Sequence, residues 1–229
     1  MRKPRQIINY GHQALLLQWQ QTIDPLINDS VHAYAQMCLS VGGVKEAVPA
    51  YCSLLVYFDP AVTDAYHLRE QLYAMQVESK PLSGQLHRLP VCYGGDFGPD
   101  LEEVSERLAL KASKLIKLHQ ATTYRVYQLG YQPGFAFLGL TDPALNVKRR
   151  KTPRARVPAG SVGLAGRQTG IYPAEYPGGW QIIGRCPWPM MEEKEDSLTR
   201  LHAGDQVQFF AIKPEEWAKY EEKPEPWTV

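Results

Sequence analysis

Between Tyr131 and Pro187 the chain packs 9 of its 18 glycines and 7 of its 18 prolines into 57 residues. Glycine opens backbone angles that side chains forbid, and proline fixes φ and removes a donor, so this density excludes a long helix. Turns and short strands remain. The segment is not polar low-complexity chain either, because Phe135, Phe137, Leu138, Val157, Val162, Leu164, Ile171, Tyr172, Trp180, Ile182 and Ile183 supply surface to bury. That mixture predicts a rigid loop system folded over a β core.

The flanking sequence is more regular. Apolar pairs from Gln6 to Trp19, interrupted by Gly11, predict a first strand or hairpin. Asp24-Pro25 opens a helix along Ile27, Val31, Tyr34, Ala35 and Cys38, which Gly42-Gly43 ends. Strands over 44–50 and 53–58, a helix over 63–76 and a strand over 85–92 complete a β-α-β-β-α-β order. A linker through Gly94, Gly95, Gly98 and Pro99 leads to a helix over 101–108, with Asp100 and Glu103 placed as a capping box. A second short helix to about His119, a strand over 122–129 and a last strand over 206–212 enclose the glycine-rich segment, predicting a small closed β structure. The tail from Lys213 onward reads as a short docked helix or as loose chain.

The totals restrict function. With 44% hydrophobic residues the chain has ample material for a core, and a net charge of +1 gives no global field toward nucleic acid or anionic membrane. No 18-residue apolar run or signal-like apolar block occurs, so a soluble cytoplasmic protein is expected. Cysteines at 38, 52, 92 and 186 show no CxxC spacing, so neither a metal site nor a disulfide framework is signalled.

Three ordered phrases carry a resemblance: PGFAFLG at 133–139, TPRARVPAGSVGLAG at 152–166 and QTGIYPAEYPGGWQIIGRCP at 168–187. With GHQALLLQW at 11–19 and PVCYGGDFGPDLEEV at 90–104, the chain resembles the family of the 5-oxoprolinase B subunit, also described as KipI-type or allophanate hydrolase subunit 1. The resemblance implies an α+β fold: a ferredoxin-like βαββαβ domain over 1–92, then a cyclophilin-like β-barrel domain over 93–229. It further implies an ATP-dependent complex that opens 5-oxoproline to glutamate, in which this chain is the B component and works with A and C partners, the A partner of KipA type. This chain has no GxxxxGK[ST] loop, and GLAGRQTG at 163–170 lacks the lysine that would reach a nucleotide's phosphates. ATP is therefore expected to be used by the complex rather than held by a P-loop here. The same resemblance leaves open a KipI-type inhibitor of a sensor histidine kinase, and subunit 1 of allophanate hydrolase or urea carboxyltransferase. Prolyl isomerase activity would rest on analogy of fold alone.

Two residues stand out as catalytic candidates. His119 is one, because an imidazole ordinarily titrates near neutral pH and can act as acid or base, and a helix-terminal histidine hydrogen-bonded to the last carbonyls competes with that reading. Arg154, between Pro153 and a rigid turn, is the one member of the 148–156 basic run at a fixed position of the family-like TPR-x-x-VPAGS phrase, and its guanidinium suits a carboxylate or phosphate. Substrate contacts are expected from Pro133, Gly134 and Phe135 of the PGF phrase and from Gly160 with Ser161 as a turn offering N–H groups. Tyr172, Gly178, Gly179 and Trp180 are expected to close a pocket or anchor a partner.

Overall fold

The computed structural model describes residues 2–78, 80–191 and 198–224, which form an α+β chain of two compact units meeting in sequence at Leu82 and Ser83. The first unit runs β1 (Gln6–Asn9), β2 (Ala14–Gln18), α1 (Pro25–Cys38), β3 (Val44–Pro49), β4 (Ser53–Phe58) and α2 (Ala65–Ala74). Its strands make an antiparallel sheet in the order β1-β2-β4-β3. Each helix starts where an aspartate can satisfy orphan N–H groups: Asp24 accepts from Leu26 and Ile27, and Asp64 from Tyr66 and His67. One sheet face, with Leu15, Leu17, Leu54 and Val56, meets Ile27, Val31 and Tyr34 of α1 and Leu68 and Leu72 of α2 in a single dry cluster. Both helices therefore cover the same face, each fully buried aliphatic side chain contributing about 2 kcal/mol.

The second unit contains β5 (Leu86–Tyr93), α3 (Leu101–Arg107), α4 (Ala112–Ala121), β6 (Thr123–Leu129), β7 (Ala136–Gly139), β8 (Arg154–Val157), β9 (Ser161–Ala165), β10 (Gln168–Ile171), β11 (Tyr176–Gly178), β12 (Gln181–Arg185), β13 (Gln206–Ile212) and α5 (Trp217–Glu222). Seven strands close a barrel in the order β10-β7-β6-β13-β5-β12-β9, and β8 with β11 forms a separate two-stranded ribbon. The glycine-rich segment is thus what it was expected to be, turns and short strands on a β core, and the barrel is of the cyclophilin-like kind. Strand alternation splits its side chains between two faces. Ala136, Leu138, Val162, Leu164 and Ile171 point into the main core with Leu89, Val126 and Phe209. Phe135, Ala165, Tyr172, Trp180 and Ile182, with Phe137 against them, form a second cluster that also takes Val157 of the ribbon.

Two expectations are corrected. The strand at 86–93, assigned above to the first domain and setting its end at residue 92, belongs to the barrel. A strand has two edges, and both edges of β5 are taken: β13 pairs along it in parallel from Leu86 to Cys92, and β12 pairs at Cys92 and Tyr93. The buried Asp205 fixes that start, accepting from the Gln85 N–H at 2.9 Å and lying 3.1 Å from His87 Nε2. Second, Asp100 stands before α3 but makes no side-chain cap there, because its carboxylate is turned elsewhere. The tail forms a 3-10 turn over Pro214–Glu216 and then α5, where Trp188 Nε1 donates to the Tyr220 carbonyl at 2.9 Å. Residues 225–229 of that tail lie outside the described residues. The four cysteines are free thiols, and among the described residues no helix is long and apolar enough to cross a membrane.

Candidate functional site

The second hydrophobic cluster does not close on itself. Phe135, Phe137, Tyr172 and Trp180 line a cavity of about 370 Å3 whose remaining wall is Tyr131, Arg149, Arg150, Pro153 and Pro177 to Gly179. The rings meet edge to face, Phe135 with Tyr172 at 5.1 Å and with Trp180 at 5.5 Å, as ring quadrupoles favour. Gly178 is required by this packing, since a Cβ there would lie 2.2 Å from the Tyr172 hydroxyl oxygen. At the mouth, Tyr131 holds a left-handed φ of 71°, rare for an aromatic residue, and donates from its hydroxyl to the Pro177 carbonyl at 2.5 Å. Burial pushes the Tyr172 phenol up to about 12, only partly offset by the Trp180 N–H and the nearby Arg149 and Arg154, so it stays a neutral donor.

The basic run divides into two groups. Arg154 grips Asp100 with both guanidinium nitrogens at 2.8 and 2.7 Å, and Arg150 reaches the same carboxylate at 2.8 Å. Asp100, whose side chain is 2% exposed, also accepts from the Ile182 N–H at 2.6 Å. Arg149 instead lies with its guanidinium 5.9 Å over the Trp180 ring, at the rim of the cavity. No acidic side chain among the described residues pairs with it.

Sequence reading and structure therefore part on the residues expected to do chemistry. Arg154 is neutralised by Asp100 and does not line the cavity, so its guanidinium serves as a brace rather than a ligand grip. His119 is fully buried inside the barrel, stacked 4.7 Å from Phe209. The Thr169 hydroxyl donates to the Gly163 carbonyl at 3.0 Å, so it accepts from His119 Nε2 at 3.0 Å, and His119 Nδ1 accepts from the Tyr93 hydroxyl at 2.7 Å. Burial pushes this imidazole from 6.5 down to about 3, and a neutral, fully bonded core histidine carries no proton to a substrate. Gly160 and Ser161 offer no anion nest: their N–H groups donate to the Tyr172 and Pro158 carbonyls, at 2.7 and 3.2 Å. Pro133 is exposed and Gly134 is packed at Met191, both away from the cavity lining. Phe135, Tyr172, Gly178, Gly179 and Trp180 do line it. The sequence reading missed Tyr131 and Phe137 and set Arg149 aside. The alternation Phe135-Ala136-Phe137 was the available signal, one face for the core and the other for the cleft.

Comparison with known proteins bears on this geometry. Residues 5–201 match the family model described as carboxyltransferase domain, subdomain C and D. The chain is 37% identical to the 5-oxoprolinase B subunit of Bacillus subtilis over 95% of its own length and 97% of that protein's. The chain belongs to the 5-oxoprolinase B-subunit family. Among solved structures, TTHA0988 superposes with a TM-score of 0.78 at 35% identity over 88% of this chain, which spans only 40% of that longer polypeptide. K. lactis urea amidolyase shares the fold, with a TM-score of 0.80 at 19% identity over 94% of this chain and 15% of its own.

Two outcomes follow from the buried polar groups. Asp100→Asn and Arg154→Ala should each lower unfolding stability by about 2 kcal/mol, the first by removing the carboxylate that two part-buried guanidiniums share and the second by leaving the buried carboxylate with Arg150 and one N–H; an unchanged melting temperature for Arg154→Ala would contradict the bracing role. For His119 the unfolded chain takes up a proton near pH 6.5 and the folded chain only near 3. Its contribution to stability is complete above that upper value and is lost as pH falls through the interval. Denaturant midpoints followed from neutral to acid pH should fall less steeply in His119→Gln than in the native protein, and equal slopes would refute a neutral His119.

Proposed function

We propose that this chain is the B subunit of an ATP-dependent 5-oxoprolinase and that the aromatic cleft receives the lactam. The observation that carries the reading is the match to the B. subtilis 5-oxoprolinase B subunit, which runs almost end to end through both proteins. The cleft adds chemical support. Its flat apolar walls suit a small ring, Arg149 at the rim suits the ring's carboxylate, and the neutral Tyr172 phenol can donate to a carbonyl oxygen.

Lactam opening is driven by activating the amide oxygen. That oxygen attacks the γ-phosphorus of ATP, and the bond from phosphorus to the bridging oxygen breaks to release ADP. Water then adds to the activated carbon, collapse breaks the C–N bond as the ring nitrogen takes a proton and leaves an acyl phosphate, and a second water hydrolyses that acyl phosphate to the free carboxylate and phosphate. In this chain the cleft holds and orients the ring and keeps bulk water from its faces, contributing through positioning. ATP is used by the assembled complex in the cytoplasm, where A and C partner subunits supply the remaining groups, and the chain alone is inactive. A multi-part enzyme fits a solved relative in which this chain corresponds to 40% of a longer polypeptide. The likeness to urea amidolyase, at 19% identity, speaks for a shared fold and not for a urea-derived substrate. No feature of the described residues favours kinase inhibition.

The test is ATP-dependent glutamate formation by the chain copurified with its A and C partners. Trp180→Ala should leave the complex assembled and lower kcat/KM for 5-oxoproline by about tenfold or more, through the lost ring contact. Glutamate formation without this chain, or turnover indifferent to Trp180→Ala, would overturn the reading.

A further inference from the structure

Beside the aromatic cleft lies a second cavity, of about 460 Å3, with which it shares Arg149 and Arg150. Its wall is cationic: Arg107, Lys148 and Lys151 join those two arginines, and Glu103 is the one acid lining it. Arg107 is paired with Glu103, and Arg150 with Asp100. Lys148, Arg149 and Lys151 are exposed and have no acidic partner among the described residues.

A basic run of this kind is ordinarily a solvated loop whose cations would have to be ordered by any ligand. Here the backbone is already pinned. Val147 bridges to Gly166, Gln181 Nε2 donates to the Lys148 carbonyl at 2.9 Å, and the Arg150 N–H donates to the Gly179 carbonyl at 2.7 Å. The Arg150 side chain is anchored again at Asp100. The run from Val147 to Arg150 is thus fixed to the barrel, and the cations it displays converge on one groove with most of the backbone ordering cost already met.

We propose that this groove binds the polyphosphate of a nucleoside triphosphate, its terminal phosphate reaching the mouth of the aromatic cleft at Arg149. The proposal rests on the 5-oxoprolinase reading for the identity of its ligand. It makes this chain, which lacks a P-loop, a holder of the phosphates through side-chain cations rather than backbone amides. The groove and the cleft then present phosphate and ring to each other across one shared arginine.

Titration calorimetry on the full chain without partner subunits tests it, with sodium tripolyphosphate, ATP and a poly-glutamate peptide as probes. Tripolyphosphate and ATP should both bind, and Lys148→Gln/Lys151→Gln should weaken both by about tenfold or more. Lys114→Gln/Lys117→Gln, which removes two charges from α4, should change either affinity by less than about twofold. Circular dichroism melts confirm that both double variants are folded. The proposal fails if neither phosphate compound binds, if only one of the two does, if the two double variants weaken binding equally, or if poly-glutamate binds as tightly as tripolyphosphate. Because no turnover is measured, such a failure leaves the 5-oxoprolinase assignment to be decided separately by glutamate formation.

Discussion

One buried carboxylate organises the functional half of this protein. Asp100 sits almost out of water, where an isolated negative charge would be prohibitively costly, and it is stable there because two guanidinium groups and a backbone N–H converge on it. Those partners come from three places: Arg150 from the basic loop, Arg154 from the first residue of the ribbon strand β8, and Ile182 from barrel strand β12. A single side chain therefore ties the start of α3, the ribbon and the loop to the barrel wall. The cleft exists because the ribbon is held at that distance from the aromatic face, and the free cations point outward because Arg150 and Arg154 are already satisfied.

The barrel separates stability from recognition by strand alternation. Its inner face is closed with apolar side chains and with a histidine whose two nitrogens are both bonded and whose pKa burial pushes well below neutral. The outer face of the same strands carries large rings that the ribbon covers only in part. The cleft is braced at its base by Phe137 of β7 and by rings that flank the ends of β7, β10 and β12. Tyr172 is buried in its wall, where a hydrogen bond to an entering polar group is stronger than in water, and Arg149 stands exposed at its rim.

How much of this was legible in the sequence depends on the range of the interaction. Period and capping residues located the helices, and the bounds of β4 and β13 match the expected strands, because those signals are local. The density of glycine and proline from Tyr131 to Pro187 announced the turn-rich half for the same reason, and the family phrases named the barrel. The allegiance of β5 was not legible: Leu86 to Tyr93 alternates like any strand, and its partner β13 lies more than a hundred residues onward. Asp100 and Glu103 have capping-box spacing, yet a two-guanidinium partner outcompetes one backbone N–H. His119 has the chemistry of a catalyst and the environment of a core residue, and only the environment decides. Arg149 looked like one charge in a run until the pairing of Arg150 and Arg154 left it as the cation at the cleft.

In the reading proposed above, the aromatic cleft holds the lactam ring with Arg149 on its carboxylate. A crystal structure of the assembled complex with 5-oxoproline bound tests it most directly. The ring is predicted to lie in the cleft against the Phe137 and Trp180 rings, with its carboxylate within hydrogen-bond distance of the Arg149 guanidinium. A cleft filled by a side chain from a partner polypeptide, with 5-oxoproline bound elsewhere in the complex, would contradict it.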